Sequence, residues 1–148
     1  MVHDTYSSLI KDINNTLKNV AQTDVSKEME SSLRRATNES FYMRTHVHHP
    51  NRYLVQAVDS QVKESNGGLE LSVFHNPSKM SQYYPSWIKG YSDDNRNNII
   101  LWLNEGTSGS PIYNHVAYKF VDKGKEDIDN KIVNWYKMAL KKRGIEVL

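Results

Sequence analysis

The chain has 148 residues, enough for one domain whose core removes about two-thirds of the unfolded chain's surface from water. Hydrophobic residues are 38% and charged residues 24%, and 19 bases against 17 acids leave a formal charge of +2, which excludes a disordered polyelectrolyte and a nucleic-acid field over the whole surface. With no cysteine there is no disulfide, thiolate nucleophile or thiolate-held metal centre, a composition suited to a reducing cytoplasm.

The opening stretch MVHDTYSSLIKDINN lacks a basic start followed by an apolar core, and no segment approaches the roughly 18 apolar residues of a membrane span, so the expectation is a soluble chain made without export. Tyr6, Leu9, Ile10, Ile13, Leu17, Val20 and Ala21 recur at steps of three and four, one buried stripe of a helix that Asp4 is placed to cap. Val25, Met29, Leu33 and Ala36 continue the stripe. Thr23-Asp24 also has cap chemistry, so one long helix and two in series both fit, and the reading preferred here is a break near 22–24.

RYLVQAVDSQVK and LELSVFHN are β-branched and alternating, and ESNGG between them supplies Asn66, Gly67 and Gly68, which tolerate positive φ; the pattern predicts a hairpin with Leu69, Leu71 and Val73 on one face. Residues 77–98 show no period and hold Tyr83, Tyr84, Trp87 and Tyr91, a long connection of the kind usually kept for a purpose. These aromatics are candidate protein-interface residues, because Tyr and Trp carry binding energy where subunits meet. They also have the rings for base stacking.

Ile99 to Leu103 is too short for its period to separate strand from helix, although Asn97 or Asn98 as cap and Gly106 as stop favour helix. Ile128, Ile132, Trp135, Tyr136, Ala139 and Leu140 form the stripe of a C-terminal amphipathic helix. Glu126, Asp127 and Asp129 occupy the expected first turn, and Lys141, Lys142 and Arg143 close the helix before Gly144, both signs complementing the helix dipole. The fold class read from these elements is α+β, an N-terminal helical region, an antiparallel hairpin and a C-terminal helix in a single domain over 1–148.

Catalytic motifs fail on inspection. GTSGSP lacks the lysine of a phosphate-binding loop, and Gly106-Thr107-Ser108-Gly109 is one residue short of a nucleophile elbow. His46 and His48 would share a face on a strand and give a small metal-dependent hydrolase or nuclease as an alternative reading, but no carboxylate lies within several residues of them. Asp59, Glu70 and Glu105 are the carboxylates an acid–base pair would draw on, and nothing in their spacing selects two. A small nucleic-acid-binding protein using the tyrosine-rich loop with Lys137, Lys141, Lys142 and Arg143 is the other alternative. No cofactor loop is present, so no cofactor and no metal are expected.

Two short motifs resemble those of a known family. The apolar run ending Leu103-Asn104-Glu105-Gly106-Thr107, and the tail from Leu140 to Val147, LKKRGIEV, are similar to the minor capsid, tail-completion or head–tail joining proteins of long-tailed bacteriophages. MESSLRRAT keeps only Leu33-Arg34-Arg35 of a further segment typical of that family, and SPIYNHVAYKF keeps only Pro111 and the aromatic character of another. The resemblance implies a virion protein of the neck or tail end, made in the host bacterial cytoplasm and without catalysis. It would assemble with itself as a ring, usually of six copies, against portal-side or tail-tube proteins, with no membrane partner and with DNA only as cargo passing through. It also implies that Glu105, Gly106 and Thr107 form an architectural turn.

Overall fold

The first helical stretch owes its shape to residues four apart. Ala21, Val25, Met29, Leu33 and Thr37 are all buried, yet on a helix of 3.6 residues per turn a strict four-residue repeat drifts by about 40° per step. Wide turns of the π type take up part of that drift. In the computed structural model, which describes residues 5–43, 53–79, 96–106 and 117–147, helix α1 (Tyr6–Val20) passes through such a turn at Ala21–Val25 into α2 (Ser26–Thr37), and a second one follows at Asn38–Tyr42. The backbone stays right-handed helical through Ala21 and Ser26, so the break expected near 22–24 is a change of pitch instead. Thr23 turns its hydroxyl back onto the Asn19 carbonyl at 2.8 Å and does not cap a new helix. At the N-terminus the cap is Thr5, whose hydroxyl accepts from the Ser8 amide at 3.2 Å, while Asp4 lies outside the described residues.

A four-residue helical turn, α3 (Tyr53–Gln56), precedes the hairpin, so the first strand starts later than the alternating stretch that announces it. Leu54 and Ala57 are buried there, and the Leu54 amide donates to the Tyr42 hydroxyl at 2.9 Å, which holds the turn against the end of the long helix. Strand β1 (Val58–Ser65) pairs antiparallel with β2 (Gly68–His75), Val58 opposite His75 and Ser65 opposite Gly68. Of the three loop residues expected to tolerate positive φ, only Gly67 adopts it, at 83°. Leu71 and Val73 face the core as predicted.

Helix α4 (Arg96–Glu105) settles the short apolar run as helix. Helix α5 (Phe120–Lys142) begins at Phe120, well before the acidic residues 126–129 expected in its first turn. It runs antiparallel to α1 and α2: Gly124 meets Leu33 and Ala36, and at the other end Arg143 meets Asn19 and Asp24. Val20, Val25, Met29, Ile128, Ala139 and Leu140 form the core between these helices, closed by Trp135 and Tyr136 and by the inner face of the hairpin. The α+β class read from the sequence holds. Among the described residues no helix is long and apolar enough to cross a membrane.

The C-terminal end of α5 closes as its sequence predicts. Gly144 takes φ 76°, its amide donates to the Lys141 carbonyl at 3.0 Å and the Ile145 amide donates to the Leu140 carbonyl at 3.1 Å, the paired bonds of a Schellman cap.

Candidate functional site

The Leu103–Gly106 segment is where the sequence offers chemistry, and its neighbours show what each group does. Asn104, last but one in α4, is buried. Its side-chain carbonyl accepts from the Val121 amide at 2.9 Å, and its side-chain amide donates to Glu105 Oε1 at 2.6 Å and Asp122 Oδ2 at 3.2 Å. An asparagine from one helix thus caps the start of another, satisfying one of the free amides that any helix N-terminus exposes. Two backbone bonds run alongside: the Tyr118 amide donates to the Leu103 carbonyl at 3.0 Å and the Lys119 amide to the Asn104 carbonyl at 3.1 Å.

Glu105 completes the arrangement. Its Oε2 accepts from Lys119 Nζ at 2.7 Å, across the position where Lys119 is held at φ 53°, the left-handed region. The Lys119 ammonium, and after it the Asn104 amide, hold the Glu105 carboxyl below the usual carboxylate range; Glu105 in turn raises Lys119. Both side chains are exposed, so this pair orients the chain more than it stabilises it. Gly106 follows at φ 81°, a left-handed conformation that glycine adopts without steric cost, directly after the last residue of α4. Thr107 lies outside the described residues.

The other candidate acids are similarly engaged. Asp59 accepts from the Asn76 amide at 3.1 Å and pairs with Lys79 at 3.0 Å, and these two partners hold its carboxyl below its ordinary value. Glu70 sits opposite Lys63 in the hairpin. Asp127 pairs with Lys131 at 2.6 Å, which holds its carboxyl below its ordinary value. Among the described residues no two of Asp59, Glu70 and Glu105 are bonded to a common group, and no three His, Asp or Glu side chains are placed to hold a metal ion. His46 and His48, and the loop aromatics Tyr83, Tyr84, Trp87 and Tyr91, lie outside the described residues.

Sequence reasoning missed three residues that matter here. Asn104 and Lys119 act across a chain separation that no local pattern reports, although an asparagine beside Glu105 at a helix end carries cap chemistry. Arg143, read as a complement to the helix dipole, also reaches from the end of α5 to Asp24, Asn19 and Thr23, with 3.1 Å to Asn19 Oδ1 and 3.0 Å to Thr23 Oγ1. It pins the first wide turn.

His75 is the one described histidine with a resolved environment. It is buried where β2, α2 and α5 meet, its Nε2 lies 2.9 Å from Thr37 Oγ1, and its ring stands edge-on to Phe120 with centroids 5.1 Å apart. Since the Thr37 hydroxyl donates its single proton to the Leu33 carbonyl at 2.7 Å, Nε2 is the donor to Thr37 and carries the proton. Burial pushes the His75 pKa down from its usual 6.5 to about 4. This is a packing histidine.

An open cleft of about 600 Å³ lies between α1, the hairpin tip and Tyr136. Its one described acid, Glu64, is paired with Lys18 at 2.7 Å. Compared with protein-family models, with curated proteins and with solved structures, the chain has no match.

Proposed function

We propose that the chain is a structural, non-catalytic subunit of a bacteriophage virion, part of the head–tail connector or of the ring that ends the tail. The observation that carries the reading is the use made of Leu103–Gly106, the segment through which the sequence resembles head–tail joining proteins. Asn104 and Glu105 are spent on fixing the start of α5 and the backbone of Lys119, and Gly106 follows α4 at positive φ. A loop built for substrate would leave such groups aimed into a cleft with their hydrogen-bonding capacity free. The tail LKKRGIEV, the second point of resemblance, likewise works as a fastening, with Arg143 clamping the long helix and Gly144 closing α5.

On this reading the partners are further copies of the chain, in a ring of six, and the adjoining portal-side or tail-tube proteins, with Tyr83, Tyr84, Trp87 and Tyr91 as the contact residues and DNA passing through without being read. The test is location. An antibody raised against the chain, applied to particles released by cells that carry its gene and viewed by electron microscopy, is expected to mark the head–tail junction or the tail end. Intact particles that carry the protein nowhere would overturn the assignment.

A further inference from the structure

The hairpin turns on two residues, Asn66 and Gly67, because Ser65 and Gly68 form the last pair of its ladder. An Asn-Gly step suits such a turn by its backbone freedom, but it also sets two reactive groups side by side. One is a side-chain amide carbonyl, and the other is the next backbone amide, with no Cβ beside it to hinder approach. For that nitrogen to reach Cγ of the asparagine, it must come close to eclipsing Cβ about the Cα–C bond. A helical ψ holds the two staggered.

This requirement separates Asn66 from the rest. Among the described residues every other asparagine is followed by a residue inside a helix, except Asn76, whose neighbour Pro77 has no N–H to give up. Asn104 in addition has its side chain bound to Val121 and Asp122. Asn66 is followed by an amide outside both helix and ladder, in the chain's single Asn-Gly step. Both turn residues are exposed, and a Cβ on Gly67 or Gly68 would meet no heavy atom within 4 Å. The turn can therefore rotate about the Asn66 Cα–C bond without displacing a packed neighbour.

We infer that Asn66 is a site of spontaneous deamidation. The Gly67 nitrogen adds to Asn66 Cγ and forms a new C–N bond, the Cγ–Nδ2 bond breaks, and Nδ2 leaves as ammonia with the proton that the Gly67 amide gave up. Water then opens the five-membered imide at either carbonyl. One opening leaves aspartate; the other leaves an isoaspartyl link, in which the main chain runs through Cβ and Cγ. Both products place a new carboxylate at the hairpin tip, on the rim of the cleft that Glu64, Ser65, Gly67 and Tyr136 line, where Glu64 is already paired with Lys18 at 2.7 Å. The isoaspartyl form also lengthens a two-residue loop by one backbone atom, which the Ser65–Gly68 pair has to absorb. None of this uses the virion assignment, and either can fail alone.

The test is to hold the full chain at mildly alkaline pH and physiological temperature beside a synthetic peptide of residues 63–70, and to digest and weigh samples at intervals by mass spectrometry. The fragment containing Asn66 is expected to gain one mass unit as a mixture of isoaspartyl and aspartyl forms, which an isoaspartate-specific methyltransferase tells apart. Fragments holding Asn15, Asn104 and Asn130 should keep their amides. Gly67→Ala, whose methyl group obstructs the attack, should slow the gain several-fold, and Asn66→Gln, which would have to close a six-membered ring, should stop it on the same timescale. An intact Asn66 amide after the peptide has lost most of its own overturns the inference. So does a product that is aspartate alone, or a Gly67→Ala variant that reacts as fast as the parent, since either means direct hydrolysis with no part for Gly67.

Discussion

Gly106 is the residue at the end of α4 whose backbone asks most plainly for glycine. A β-branched side chain at φ 81° meets its own backbone, so Gly106→Val is expected to cost more than the ~1 kcal/mol of a routine substitution. Thermal or urea unfolding measures it, and an unchanged stability would mean that Gly106 does not hold a positive φ. His75 makes a prediction about pH. Its pKa falls from 6.5 to about 4 on folding, so the folded state disfavours the imidazolium. The stability this contributes is complete above pH 6.5 and drains away as pH drops towards 4, a difference on the order of 3 kcal/mol. The lowered carboxylates Asp59 and Asp127 act in a different window, losing their contribution only as pH falls below their ordinary value of 3.8. Urea unfolding of His75→Gln between pH 4 and 7 should therefore show a flatter dependence than the parent protein; parallel curves would mean that His75 is not buried neutral. Gly106 was legible in the sequence as a stop signal, whereas the burial of His75 was not, because only its neighbours Thr37 and Phe120 create it.

The elements depend on one another's ends. Helix α5 starts at Phe120 because Asn104 of α4 accepts from Val121, so Asn104→Ala is expected to lose about 0.5–2 kcal/mol, the usual worth of a helix cap. Hydrogen exchange should speed up first at the amides of residues 120–123; loss spread evenly over α5 would contradict the cap. Where α2 and α5 cross, a Cβ on Gly124 would stand 2.8 Å from Leu33 Cδ1 and 3.4 Å from its Cα. For Gly124→Ala the gain of about 1 kcal/mol in helix propensity opposes a clash with a methyl group that can swing, and the change should stay within about 1 kcal/mol of neutral. Gly124→Leu has no such escape and should cost about 1–3 kcal/mol by forcing the helices apart. Equal effects of the two would remove the close crossing from the account. The hairpin and the C-terminal half of α5 were legible because their signals are local, a glycine turn between alternating strands and a stripe closed by Lys141, Lys142 and Gly144. The unbroken passage through residues 21–25 and the early start of α5 were not, because Arg143 and Asn104 determine them from a distance in the chain.

At the scale of the whole molecule, a long helix, a hairpin and an antiparallel helix surround one core, and among the described residues polar side chains fasten these parts together. Asn104 and Glu105 join α4 to α5, Arg143 joins α5 to the wide turn after α1, and Glu30 and Arg34 join α2 to the hairpin, Glu30 by accepting from Ser60 at 2.6 Å and Arg34 by donating to the Val58 carbonyl at 3.3 Å. A subunit fastened in this way can keep its shape while its exposed faces meet other chains, which suits the proposed place in a virion ring. Quantitative mass spectrometry of purified particles tests that claim most directly, by comparing the chain with the major capsid protein of the same particles. The account predicts a small, fixed number of copies per particle, matching a ring of about six. Particles that are complete and infectious yet contain none, while the protein is abundant in the cells that made them, would contradict it.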